Sequence, residues 1–229
     1  MRVVSLVPSA SETLLAWGVE PVGVTRFCEL GERFPTVGGT KDPDLDAIVA
    51  LRPDVVVMCD QENRLPDADA LLERGIAIHV IRIAALEHVG PQMVSLAKAV
   101  GVDGSFGSAC AATVDPLPDA RHVAFVPIWK RPWMTIGAAT YGGSLLRALG
   151  ISLVANGNDD RYPAIDPEQA RELGASIVLA PTEPYPFGER HREVLESVAP
   201  TVFVDGQDLF WWGARTPAAL GRLAAQLNG

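Results

Sequence analysis

The sequence predicts an α/β protein made of two lobes, each with a parallel-rich sheet, joined by a helical linker. Three observations carry this. Short apolar runs such as Val3-Val4, Val55–Met58 and Ile177–Ala180 recur, and each alternates with a segment of helical spacing. That is the pattern of a parallel sheet covered on both faces. The same order of strand, capped helix, strand, Asp-Pro, helix and strand occurs once in each half of the chain. Finally, each half raises a glutamate from a turn-rich loop after its third strand: Glu62 follows Val55–Met58 and Glu183 follows Ile177–Ala180. Ligands of open parallel sheets bind outside the carboxyl ends of the strands, which places both loops where function is expected.

Taken in order, Arg2–Val7 reads as a strand. Ser9 then reads as the N-cap of a helix, with Glu12 completing a capping box, and Gly18 closes it. Val22–Thr25 is a second strand with Phe27 and Cys28 just past its end. After Gly38-Gly39, Asp42-Pro43 predicts a cap with proline at the first helical position, and that helix feeds Val55–Met58. A helix over about Asp67–Arg74 and the strand Ala77–Ile81 complete the lobe. Leu86–Val100 has helical spacing, and Gly104–Val114 is a small-residue segment of helical character before Asp115-Pro116-Leu117-Pro118.

The pattern then restarts with the strand Val123–Val126 and a loop bearing Trp129 and Trp133. Thr140 caps a helix closing at Gly150, Ile151–Val154 is a strand, and Asp166-Pro167 repeats the Asp42-Pro43 cap. Ile177–Ala180 repeats Val55–Met58, a helix spans His191–Val198, and Thr201–Val204 is the last strand. A loop with Phe210-Trp211-Trp212 precedes a final helix capped at Thr216-Pro217. The domains expected are an N-terminal lobe over 1–85, a helical linker over 86–118 and a C-terminal lobe over 119–229. Each lobe is Rossmann-like in its alternation of strand and helix.

Composition excludes several classes. A net charge of -9 offers no electrostatic basis for holding nucleic acid or an anionic membrane. No apolar run approaches the roughly 20 residues that span a bilayer, so no membrane insertion is expected. The run after Met1-Arg2 is too short for the apolar region of a signal peptide. The expectation is therefore a cytoplasmic protein, or an extracytoplasmic one whose leader was removed or lies upstream. Cys28, Cys59 and Cys110 form no CxxC pair, leave one odd, and predict no disulfide framework.

Candidate functional residues are mostly aromatic. Trp129, Trp133, Trp211 and Trp212 lie on loops after strands of the second half, with Tyr185, Phe187 and Phe210 on neighbouring loops and Phe27 in the equivalent place of the first half. Grouped loop aromatics suggest an apolar cleft for a large flat ligand or a partner surface; the alternative is a satellite cluster packed beneath the loops. The four histidines, His79, His88, His122 and His191, have no metal-site spacing. Neither GxGxxG after the first strand, GxxxxGK[ST] nor GxSxG occurs. No catalytic residue and no metal ligand is assigned. Glu62 and Glu183, matched in two half-molecules, suit symmetrical docking onto a basic partner.

Several stretches resemble the iron-siderophore/vitamin B12 substrate-binding proteins of ABC importers. In the first half they are RVVSLVPSASETLLAWG-VEPVGV, DLDAIVALRPDVVVM with Glu62, and LLERGIAIHVI. In the second, IWKRPWMTIG, TEPYPF and FWWGART resemble the cobalamin-binding members. The resemblance covers nearly the whole chain. It implies the class III periplasmic-binding-protein fold: two α/β lobes bridged by a rigid helix, ligand held between them, and little hinge motion. It further implies ligand-facing aromatics at Phe27, Trp129 and Trp211, and docking of Glu62 and Glu183 onto permease arginines. Thr40 and Cys59 stand where cobalamin binders tend to carry aromatics. Gly104–Val114 gives only about 16 Å of helix, so Leu86–Val100 is expected to share the bridging.

The resulting expectation is a non-enzymatic, monomeric binding protein without an intrinsic cofactor. It holds a small-molecule metal chelate, a corrinoid such as cobalamin first, with haem or a ferric siderophore behind it, for delivery to an ABC permease. Two alternatives stand beside it: a cytosolic corrinoid- or tetrapyrrole-binding protein without a transporter, and a small-molecule enzyme using a cleft carboxylate such as Glu183 or Asp205.

Overall fold

The computed structural model of the protein describes residues 1–28, 33–112, 121–157 and 160–227. The chain forms two compact units. One contains Met1–Ile83, Glu87–Ala111 and Trp212–Arg215; the other contains Ala84–Leu86, Ala112–Trp211 and Thr216–Gly229.

In the first unit β1 (Val3–Ser5), α1 (Pro8–Ala16), β2 (Gly23–Val24), α2 (Leu45–Ala50), β3 (Val55–Cys59), α3 (Leu65–Glu73) and β4 (Ala77–Ile81) alternate along the chain. They are followed by α4 (Val89–Ala99) and α5 (Gly104–Ser108). The strands form one parallel sheet in the order β2-β1-β3-β4. The unbroken apolar run of β3 is buried along its whole length, as a central strand covered on both faces requires. Val4, Val56 and Met58 from the strands and Leu6, just past β1, meet Ile48 of α2 and Leu71 of α3 in the core.

Two helix starts differ from expectation. α1 begins at Pro8 with Val7 as N-cap, and Ser9 lies inside the first turn, buried and bonded through its hydroxyl to none of the described residues. Proline, with its fixed φ and no amide hydrogen, suits the first helical position better than a serine cap one residue later. α2 is capped by Asp44, whose carboxylate accepts from the Ala47 amide at 2.9 Å. Pro43 is held in an isolated bridge with Gly38, which keeps this segment extended, and Asp42 pairs with Arg26.

The second unit runs β5 (His122–Phe125), β6 (Pro127–Lys130), β7 (Trp133–Thr135), α6 (Tyr141–Ala148), β8 (Ile151–Leu153), α7 (Pro167–Glu172) and β9 (Ile177–Pro181). α8 (Arg192–Glu196), β10 (Thr201–Val204), α9 (Gly206–Phe210) and α10 (Thr216–Leu227) complete it. Its parallel sheet has the order β10-β9-β5-β8. Read from the other edge, β8-β5-β9-β10 matches β2-β1-β3-β4 position for position, so the repeat in the sequence is a repeat of topology. Thr140 caps α6, and Asp166 and Gln169 form a reciprocal capping box on α7, both at the expected residues. The segment with Trp129 and Trp133, expected as a loop, is the antiparallel hairpin β6–β7.

Each unit incorporates a short segment from the far half of the chain. Trp212–Arg215 belongs to the first unit, where Trp212 is buried, the Ala214 amide donates to Thr13 Oγ1, and the Arg215 guanidinium forks onto the Glu12 carboxylate at 2.7 and 2.8 Å. Ala84–Leu86 belongs to the second, where the Leu86 amide donates to Ser144 Oγ at 2.6 Å. Most of the expected linker, Glu87–Ala111, is part of the first unit. There α4 buries Val89, Met93, Leu96 and Ala97 and packs against β4 and α5. Of the rest, Leu86 and Ala112 belong to the second unit, and residues 113–118, with Asp115–Pro118, lie outside the described residues.

Candidate functional site

In a 2-1-3-4 sheet the chain turns to opposite sides of the first strand, and the crevice at the carboxyl ends of the first and third strands is the ligand position. In the first unit that point lies between β1 and β3. Asn63 closes it: its side-chain oxygen accepts from the Cys59 amide at 2.8 Å, and its amide donates to the Leu6 and Thr40 carbonyls at 3.1 and 2.9 Å. The end of β1, the end of β3 and the 38–44 loop are thereby tied together by one buried side chain. Glu62, next to it, is half-buried. Cys59 faces the interior; burial, followed by the nearby Glu62 charge, pushes its thiol up to about 12.

Phe27 follows β2 and is 53% exposed. The Arg26 guanidinium lies 5.2 Å from its ring centroid and pairs with Asp42 at 2.5 Å. Cys28 is within 3.2 Å of Ser11 Oγ in the first turn of α1. All three cysteines are free thiols.

The equivalent point of the second unit lies between β5 and β9, and it is aromatic. Trp129 on the hairpin meets Tyr185 edge-on at 5.6 Å, Tyr185 meets Phe187 at 4.8 Å, and Phe187 stacks on Trp133 at 5.9 Å with the planes 14° apart. Trp133 in turn meets Phe125 of β5 at 6.5 Å and carries Lys130 over its ring. The chain is graded in depth. Phe125 and Phe187 are in the core, Trp133 and Tyr185 are half-buried, and Trp129 is exposed. His191 is buried edge-on against both Tyr185 and Phe187 and accepts from the Gly188 amide. Its pKa is lowered by burial first, then by Lys130 and Arg190.

Glu183 is half-buried at the end of β9, on the same loop as Tyr185. The Gly206 amide, after β10, donates to Thr182 Oγ1 at 3.0 Å. A Cβ on Gly206 would fall within 2.6 Å of the Glu183 amide nitrogen, so only glycine permits this approach. Trp211 is half-buried just past α9. Trp212, one residue on, is a core residue of the first unit. Among the described residues no group of three or more His, Cys, Asp or Glu is gathered to hold a metal ion, and no helix is long and apolar enough to cross a membrane.

Sequence reasoning missed the hairpin and Asn63. The hairpin had a signal: Ile128-Trp129 and Met134-Thr135 are β-formers flanking Arg131-Pro132. Asn63 had none, because its three partners come from segments up to 57 residues away.

Two α/β units with parallel sheets of one strand order, each raising a glutamate after its third strand, have the class III periplasmic-binding-protein fold, as the motifs implied. The protein is similar to the periplasmic vitamin B12 binding protein BtuF of Vibrio cholerae, with a TM-score of 0.81 at 15% identity, covering 99% of this chain and 96% of that one. The periplasmic haem-binding protein HutB of Vibrio cholerae superposes with a TM-score of 0.80 at 18% identity, covering 100% and 99%. In sequence, a vitamin B12-binding protein of Salmonella paratyphi A is 28% identical over 190 residues, 77% of this chain and 71% of that protein. The matched stretches span 66–71% of the curated relatives' length. No protein-family model matches the chain. The resemblance to the iron-siderophore/vitamin B12 substrate-binding family thus holds in sequence and in fold.

These findings overturn one expectation. The short apolar run at the start of the chain favoured the cytoplasm, yet solved proteins sharing this fold along nearly its whole length are described as periplasmic. Relatives and neighbours alike are named as binding proteins, which sets the enzyme reading aside.

Proposed function

We propose that the protein is the extracytoplasmic substrate-binding component of an ABC importer, carrying a tetrapyrrole-type metal chelate, with a corrinoid leading and haem second. The observation that supports this most is a fold shared over 99% of the chain with a vitamin B12 binding protein, in a chain whose sequence relatives carry the same description. Phe27 and Trp129 offer exposed rings, and Trp211 a half-buried one, at the carboxyl edges of the sheets. If each loses on the order of 100 Å² of apolar surface to a ligand, the three contribute about 7 kcal/mol gross. Association entropy removes several kcal/mol, so polar loop groups supply the remainder of a micromolar complex, about -8 kcal/mol. A net charge of -9 disfavours anionic chelates and places corrinoids ahead of haem and ferric siderophores. Glu62 and Glu183 are the residues we assign to permease docking.

Titration with cyanocobalamin should quench tryptophan fluorescence saturably. A linear quench equal to that of free tryptophan would remove corrinoids, and a parallel hemin titration read by its absorption shift tests the second ligand.

A further inference from the structure

The loop after β2 and the loop leading to α2 build an ion pair that a surface contact does not require. Arg26 Nη2 spans both Asp42 oxygens, at 2.7 and 2.5 Å. The backbone is shaped around it: the Arg26 amide donates to the Gly38 carbonyl at 2.9 Å and the Gly39 amide to the Asp42 carbonyl at 3.3 Å. Gly39 passes so close beneath the pair that a Cβ there would lie 2.8 Å from Arg26 Nη2 and would also strike the Asp42 carboxylate. Gly38 holds φ +87°, in the region that favours glycine. Both charges are about half exposed or more, so the pair adds little to stability. Its consequence is local. The guanidinium beside the exposed Phe27 ring is held in place and its charge is cancelled by a fixed neighbour.

We propose that Asp42 is a specificity-determining residue of the ligand site. By neutralising Arg26 next to Phe27, it removes the cation from the surface around that ring, selecting a macrocycle with amide side arms over one with free carboxylates. This rests on the binding function proposed above and narrows its ligand class. The surrounding charges point the same way: within residues 25–28, 38–44 and 60–63, Arg26 and Lys41 stand against Asp42, Asp44, Asp60 and Glu62. Lys41 donates to the Gln61 carbonyl. A dianionic tetrapyrrole brought to Phe27 therefore meets no uncompensated cation from Arg26, whereas an amide-bearing corrin has nothing to lose there. Removing one carboxylate a few ångströms from a ligand carboxylate, in a partly exposed site, is worth about a factor of ten.

The test measures the dissociation constants of hemin and cyanocobalamin for the full chain, its Asp42→Asn variant, and the Arg26→Gln/Asp42→Asn double variant. The Asp42→Asn protein should shift the affinity ratio toward hemin by about tenfold, and the gain should shrink on raising salt from 50 to 500 mM, as a released charge requires. The double variant should lose the gain, as removal of the exposed Arg26 charge requires. An unchanged ratio in Asp42→Asn, or a gain that survives in the double variant, overturns the proposal while leaving the binding function intact. An unmodified chain that binds neither ligand overturns the function and the inference together. Asp42→Glu, keeping the charge, should keep the parent ratio; if it shifts the ratio as Asp42→Asn does, geometry rather than charge is responsible and the proposal fails.

Discussion

Trp129 and Phe187 belong to one aromatic chain but lie in opposite environments, one at the surface and the other in the core. Phe187→Ala opens a cavity among Phe125, Val178 and Leu195 and should cost about 3–5 kcal/mol in urea unfolding. Trp129→Ala should change stability by less than about 1 kcal/mol and instead weaken cyanocobalamin binding roughly tenfold. The reverse pattern would move the site away from the hairpin. His191 adds a pH dependence. Its folded-state pKa is held below the ordinary 6.5, chiefly by burial. The unfolded chain therefore takes the proton first as pH falls, and the stabilisation present above about 6.5 is lost on acidification through the folded value. The urea midpoint should drop between pH 7 and 5.5, and drop less in His191→Gln.

At the scale of elements, the segment Trp212–Arg215 completes the first unit from the far end of the chain. Trp212 is 4% exposed, and Arg215 and Ala214 bond to Glu12 and Thr13 of α1. Trp212→Ala should destabilise that unit by about 3–5 kcal/mol. The loss should appear as faster amide exchange in α1 and β1 before any change in α7 or β9. Uniform acceleration through both units would show that they unfold as one. The caps on α6 and α7 were legible in the sequence because a cap is local: Thr140 and Asp166 reach amides only three residues on. The starts of α1 and α2 were not, since Pro8 and the Gly38–Pro43 bridge override the nearest cap-like residue.

For the whole molecule, the docking proposed above rests on Glu62 and Glu183, matched in position in the two half-molecules. The Glu62→Lys/Glu183→Lys double variant should abolish stimulation of a cognate importer while leaving cyanocobalamin affinity within about twofold, since rim charges act on association with the partner. Lost ligand affinity in that variant would make the two glutamates pocket residues. The acidic balance also predicts that binding of a neutral corrinoid is insensitive to salt, because no long-range attraction between ligand and protein is there to screen.

The sequence by itself determined the α/β class, the division into two repeating halves, the strands with their carboxyl-end loops, and the family resemblance. The first three follow from periodicity and local turn chemistry, which act over a few residues; the resemblance rests on particular motifs and their order. Tertiary structure decided which of those loop residues remain available. Trp129, Trp133 and Trp212 are equally loop-like in sequence, yet packing leaves one exposed, half-buries the second on Phe187 and buries the third in the other unit's core. It also decided that Asn63 closes the first switch point and that Asp42 answers Arg26 rather than capping a helix. These outcomes depend on partners 16 to 57 residues away. Only the folded chain brings such partners within hydrogen-bond reach, and no local pattern encodes the meeting.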